Sequence, residues 1–185
     1  MPPDPVRASP AAEPNLHEIV SAIAAQLHPD RIGTGSLAEL RRLDPTKEGG
    51  LSTPALQRLL WRHVPDAWLA GAGMNFWPLI VHAMALGAPD LHRAPAGKGS
   101  LGLALFESGF SEGRLVRLLE ARAEDLPVVV PRAVRFLAAK TQGFDSVGLA
   151  FWVHGIAAGG LRAEQQRASI ARDYFRAERD ASKAA

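Results

Sequence analysis

The sequence predicts an all-α protein, a helical bundle of about eight or nine helices in two small lobes, on three observations. Apolar residues recur at helical spacing in one segment after another. Helix-starting residues (Asn, Ser, Thr-Pro or Asp) stand just before these segments. No alternating apolar and polar run is arranged as strand, turn and strand.

Taken in order, the first element starts at Asn15, where Leu16, Ile19, Val20, Ile23, Ala24 and Leu27 fall on one helical face and Glu18 completes a capping box. Ser36 and Glu39 suggest a second capping box ahead of "LRRL", with Pro45 limiting that helix. Thr53-Pro54 reads as an N-cap with proline at the first helical position, opening a helix to His63 with Leu56, Leu59 and Leu60 inward. "NFWPLIVHAMALG" is apolar all round, a buried helix closed by Gly87. "APDLHRAPAGKGS" has no periodicity and reads as a loop. Ser100 then caps a helix ending near Ser108-Gly109, and Ser111 caps another running to about Ala123. In "LPVVVPRAVRFLAAK", Val128 to Val130 hint at a strand, but the flanking prolines argue against one, and helix is expected from Arg132 onward. "DSVGLAFWVHGI" and "RAEQQRASIARDYFRAERD" supply the last two helices.

These elements divide the chain into a disordered N-terminal tail (1–14), an N-terminal helical lobe (15–87), a connecting loop (88–99), a C-terminal helical lobe (100–180) and a short disordered tail (181–185). The first residues carry no apolar stretch of the kind a signal peptide needs, and the longest apolar run is too short to span a bilayer. With cysteine absent, disulfides, thiol nucleophiles and Cys-ligated zinc are excluded, and a cytoplasmic protein is expected.

Candidate chemistry is sparse. Gly97-Lys98-Gly99-Ser100 resembles part of a phosphate-binding loop, but His92 stands where the full pattern needs glycine and no strand precedes it. At most, Lys98 and the start of the Ser100 helix would hold one phosphate. The six histidines, at 17, 28, 63, 82, 92 and 154, have no metal-ligand spacing, and no G-x-S-x-G element is present. No enzyme, catalytic residue, metal or cofactor is therefore expected.

The cations are more informative. The formal net charge is +2, but residues 1–30 carry −3 and the remainder +5. Seventeen of the 21 cations are arginine, whose planar fork matches phosphate in two-point geometry, although GC-rich coding produces the same bias. Arg114 and Arg117 lie one turn apart beside the Leu115, Leu118, Leu119 stripe, and Arg132, Arg135 and Lys140 repeat that layout. Arg41-Arg42 and Arg172, Arg176 and Arg179 add further clusters, the last interleaved with Asp173, Glu178 and Asp180 as a solvated face would be. Exposed stacking aromatics look scarce, so binding to nucleic acid would be mainly electrostatic and largely blind to sequence.

"GSLAELRRLDP" (35–45), "GSLGLALFESGFSEGRLVRLLEAR" (99–122), "RAVRFLAAK" (132–140), the tryptophan of "AFWVHG" and "IARDYF" (170–175) together resemble the CasB family, the small subunit of the type I-E CRISPR surveillance complex Cascade. The resemblance covers roughly residues 15–178. It implies a non-enzymatic, all-helical subunit present in two copies, contacting the backbone and large subunits of a crRNA-guided complex and stabilising its R-loop by holding target and displaced DNA strands. By motif position that role falls to Arg41, Arg42, Arg114, Arg117 and Arg135, with Arg122, Arg132, Lys140 and Arg172 after them. Glu120 stands near the end of the Ser111 helix where a member of the resembled family carries a basic residue, so the basic track is either interrupted there or continued by Arg122. Two alternatives remain at this stage: a helix-turn-helix DNA-binding regulator built on 100–123, and a protein-interaction scaffold without nucleic-acid contacts.

Overall fold

The computed structural model describes residues 15–46, 53–70, 73–93 and 99–184. The expected N-terminal tail, Gly97 and Lys98 of the phosphate-loop fragment, and Ala185 lie outside them.

The first helix, α1 (Leu16–Gln26), forms as its spacing dictates. The Asn15 side chain accepts from the Glu18 N–H and the Glu18 carboxylate accepts from the Asn15 N–H, each at 3.1 Å, a complete capping box. A single turn, α2 (Pro29–Ile32), follows, and then α3 (Thr34–Arg41). Here the expected second capping box fails. The helix starts three residues earlier, with Gly33 at the N-cap in a positive-φ conformation, so Ser36 lies inside the first turn.

Helix α4 (Pro54–His63) buries Ala55, Leu56, Leu59 and Leu60, and one more turn, α5 (Asp66–Leu69), leads to α6 (Gly73–Gly87). Within the expected 88–99 loop, β1 (His92–Arg93) pairs in parallel with β2 (Phe144–Asp145). This pairing is too short to form a layer, but it ties the connection into the fold.

The C-terminal half holds α7 (Leu101–Glu107), α8 (Glu112–Leu119), α9 (Leu126–Ala139), α10 (Ser146–Ala158) and α11 (Gly160–Ala184). Three expectations are corrected. Helix α8 stops at Leu119, short of Ala123, with Glu120 as its C-cap. Helix α9 starts at Leu126, so Val128 to Val130 are helical. Pro127 falls in the first turn, where its missing N–H costs nothing, and Pro131 forfeits one intrahelical bond that tertiary packing offsets. Residues 181–184 continue α11 and are not a disordered tail. Among the described residues there are eleven helices, the nine expected plus the single turns α2 and α5.

Two helices that are apolar all round, α6 and α10, pack on each other at the centre. Helices α3 and α9 cover α6, while α1 and α11 cover α10. Buried side chains from both sides of the 88–99 segment form one cluster, from Ile19 and Leu56 to Trp152 and Tyr174, so the two expected lobes meet through a shared core. Burying each large aliphatic side chain there contributes about 1.5–3 kcal/mol against the entropy of ordering the chain.

Two contacts fix the placement of α7 and of the turn that leads into α8. Gly102 brings α7 against α11 so closely that a Cβ there would overlap the Ile170 carbonyl oxygen. The buried Tyr174 hydroxyl donates to the Phe110 carbonyl at 2.6 Å, holding the turn between α7 and α8 against α11.

Candidate nucleic-acid interface

Helix α8 is short and sharply amphipathic, with Leu115 and Leu118 buried and Arg114 and Arg117 exposed beside them. On the neighbouring α9, Val130, Ala133, Val134 and Leu137 face inward, which leaves Arg132 and Arg135 exposed one turn apart. Between the two helices runs a groove of about 330 Å³ with Arg114, Arg117 and Arg132 around an apolar floor that includes Phe110, Leu118 and Phe136. Among the described residues no carboxylate lines it. The Arg114 guanidinium sits 5.2 Å above the Phe136 ring, an arrangement that steadies the cation without neutralising it. Phe136 is in turn set edge-on against Phe110, with ring centroids 5.2 Å apart.

Arg132 also borders a second groove, of about 320 Å³, shared with Arg135, His82 and the Leu43-Asp44-Pro45 segment that follows α3. The two grooves therefore form one track across α8, α9 and the end of α3. Behind Arg135 stands His82, fully buried in α6. Its Nδ1 lies 2.9 Å from the Leu40 carbonyl and its Nε2 lies 3.4 Å from Arg135 Nη2. Only one tautomer satisfies both contacts, with Nδ1–H donating to Leu40 and the Nε2 lone pair accepting from arginine. Burial pushes the His82 pKa down, the Leu40 carbonyl partly opposes this, and Arg135 lowers it further. A neutral His82 thus positions Arg135. Histidine spacing gave no hint of this role, although a lone histidine in an otherwise apolar helix signals a buried polar group that needs partners.

The other sequence candidates separate by their partners. Arg41 donates from Nε to the Ala85 carbonyl at 2.9 Å and from Nη2 to the Ala88 carbonyl at 2.7 Å, closing the C-terminal end of α6. Arg42, the C-cap of α3, is exposed, and its side chain makes no hydrogen bond or ion pair among the described residues. Arg122 and Lys140 are exposed just beyond the C-terminal ends of α8 and α9, and neither lines a groove with the α8–α9 arginines. Arg172 lies on α11, 3.4 Å from Asp173 and 3.2 Å from the Ser169 hydroxyl, also outside both grooves. Arg167, not among the candidates, has a structural role: it donates to the Ala121 carbonyl at 2.9 Å and pairs with Glu164.

Among the described residues no group of three or more His, Asp or Glu side chains is placed to hold a metal ion, and no helix is long and apolar enough to cross a membrane. No curated protein and no solved structure matches the chain. The family model of CRISPR-associated protein Cse2 matches residues 36–175, from the first turn of α3 into α11, and includes the whole arginine track. With the helical fold and that match together, the chain belongs to the Cse2 (CasB) family, the non-catalytic small subunits of the type I-E CRISPR complex Cascade.

Proposed function

We propose that this Cascade subunit stabilises the R-loop by holding the sugar-phosphate backbones of the target and displaced DNA strands along the α8–α9 track. The observation that carries this is the convergence of Arg114, Arg117, Arg132 and Arg135 from two adjacent helices on connected grooves, the first without a carboxylate. Cations held close together repel one another, and a run of phosphates relieves that repulsion while releasing condensed counterions. Guide pairing reads the sequence in such a division of labour, so the subunit needs only backbone contacts. Arg42 extends the track, Arg41 is partly committed to α6, and Arg122 and Lys140 lie where a strand leaving either helix end would pass. Arg172, already paired, contributes least. In this reading the subunit works in the cytoplasm, in two copies, against the backbone and large subunits of the complex.

The test is retention of matched double-stranded DNA by a reconstituted crRNA-guided complex, with and without this subunit, at two salt concentrations. Omission should cause a salt-sensitive loss that wild type restores and Arg114→Glu/Arg135→Glu does not. Equal retention with the folded double variant would refute the assignment. Tight binding of one duplex sequence by the chain alone would favour a helix-turn-helix regulator instead.

A further inference from the structure

A second basic groove, sharing no lining residue with the α8–α9 track, lies on the other half of the sequence between α2 and α4. It measures about 440 Å³ and gathers Arg31 from α2 with Arg58, Trp61, Arg62 and His63 from α4. Among the described residues no carboxylate lines it, and the side chains of Arg31, Arg58 and Arg62 make no hydrogen bond or ion pair. Trp61 is 64% exposed, whereas Trp77 and Trp152 are buried to 2% and 1%. Trp68 is partly buried, with its ring 5.3 Å from His154. Trp61 therefore does nothing for the core. The inward stripe of α4 is Ala55, Leu56, Leu59 and Leu60, and Trp61 projects beside it with Arg58 one turn before and Arg62 next to it.

An exposed indole offers an open planar face and the three unpaired guanidinium groups beside it offer positive charge, and one ligand type matches both: a polyanion that carries unstacked planar rings. A duplex hides its base faces by stacking, and an acidic peptide offers charge without a planar face. We propose that Arg31, Arg58, Arg62 and Trp61 form a binding site for single-stranded nucleic acid, in which one base stacks on the Trp61 indole while the arginines hold the neighbouring phosphates. This differs from the α8–α9 track, where Phe136 is already covered by Arg114 and the binding is of backbone alone.

The test uses the full chain, wild type and Arg114→Glu/Arg135→Glu, so that failure of this site and failure of the α8–α9 track are told apart. A short oligothymidylate should quench tryptophan fluorescence in both. Trp61→Ala should abolish the quenching and weaken binding roughly tenfold, while Trp61→Tyr, which keeps an aromatic face, should retain most of the affinity. An abasic strand of equal length should bind wild type and Trp61→Ala alike, and Arg58→Glu/Arg62→Glu should weaken both strands. The proposal is overturned if Trp61→Ala leaves affinity and quenching unchanged. It is equally overturned if a duplex of the same length binds as tightly with the same dependence on Trp61, or if polyglutamate displaces the oligothymidylate while Trp61→Ala has no effect.

Discussion

Helix α11 and the α8–α9 pair are both rich in arginine, yet they differ in what the arginines face. On α11, Arg172 lies beside Asp173, Arg179 lies 3.1 Å from Asp180, and Arg167 pairs with Glu164. On α8 and α9 the carboxylates stand at the helix ends, Glu112 in the first turn of α8 and Asp125 at the N-cap of α9, leaving the groove between them lined only by cations and apolar groups. An anion site is therefore set by where carboxylates are excluded more than by how many arginines a segment holds. Exposed ion pairs like those of α11 contribute little to stability and leave little net field for a ligand.

The largest expected effect is on DNA retention. Arg114→Glu/Arg135→Glu should weaken retention by the reconstituted complex roughly tenfold or more at low salt, and loss of two phosphate contacts should make the dependence of log K on log salt shallower by about 1.4. The matched reversal Arg172→Glu/Arg179→Glu on α11 should change retention by less than about twofold. Equal effects from the two pairs would erase the distinction between the regions.

A smaller effect is expected on the scaffold beneath them. Gly102→Ala should lower unfolding free energy by about 2 kcal/mol, measured by denaturant titration, because the added methyl meets the Ile170 carbonyl oxygen and α7 must move off α11. Wild-type stability in that variant would mean that the α7–α11 contact, and with it the placement of α8, is looser than the structure has it.

The regions also differ in titration, since α11 contains no histidine while His82 stands behind Arg135. Burial lowers the pKa of His63, His82 and His154, with nearby arginines adding to the effect, and pushes His92 down to about 4. Each of these groups is held neutral in the fold and takes up a proton more readily when unfolded. Their stabilisation is therefore complete above the ordinary histidine pKa of about 6.5 and is lost as pH falls from there toward the lowered value. From His92 alone, unfolding free energy should drop by about 1 kcal/mol between pH 7.5 and 5.5. Thermal melts at the two pH values check this, and His92→Gln should reduce the difference; an unchanged difference would rule out His92 as a contributor.

The smallest effect separates two adjacent arginines. Arg41→Ala should destabilise the fold by about 1 kcal/mol through loss of the α6 carbonyl contacts, while Arg42→Ala should leave stability within about 0.5 kcal/mol and instead reduce the salt slope of DNA retention. Comparing denaturant midpoints with retention slopes for the two variants decides between them.

Much of the helical framework was legible because its signals are local. The Asn15-Glu18 capping box, the Thr53-Pro54 start and the leucine stripe of α8 each reside within a turn or two of chain. The errors arose where local signals compete. Ser36 and Glu39 match a capping box, but Gly33 adopts the positive φ that starts α3 sooner. Val128 to Val130 hint at a strand that the flanking prolines argue against, and packing of α9 on α6 with a proline in the first turn carries the helix back to Leu126, ahead of the expected Arg132. The arginines of α8 and α9 were legible as a group, whereas the Trp61 groove was missed because "LLWRH" reads as one more apolar stretch.

By itself the sequence determined the helix class, the inward stripes, the family motifs and which segments carry cations, because these depend on residues within one or two turns of each other. Only the tertiary structure decided which arginines remain available. Arg41 meets carbonyls 44 and 47 residues away, His82 meets Arg135 at a separation of 53, and Arg167 reaches Ala121 across 46. The physical reason is that a guanidinium binds whichever acceptor its environment supplies. That environment is assembled by packing between distant helices, which no local pattern of charges encodes.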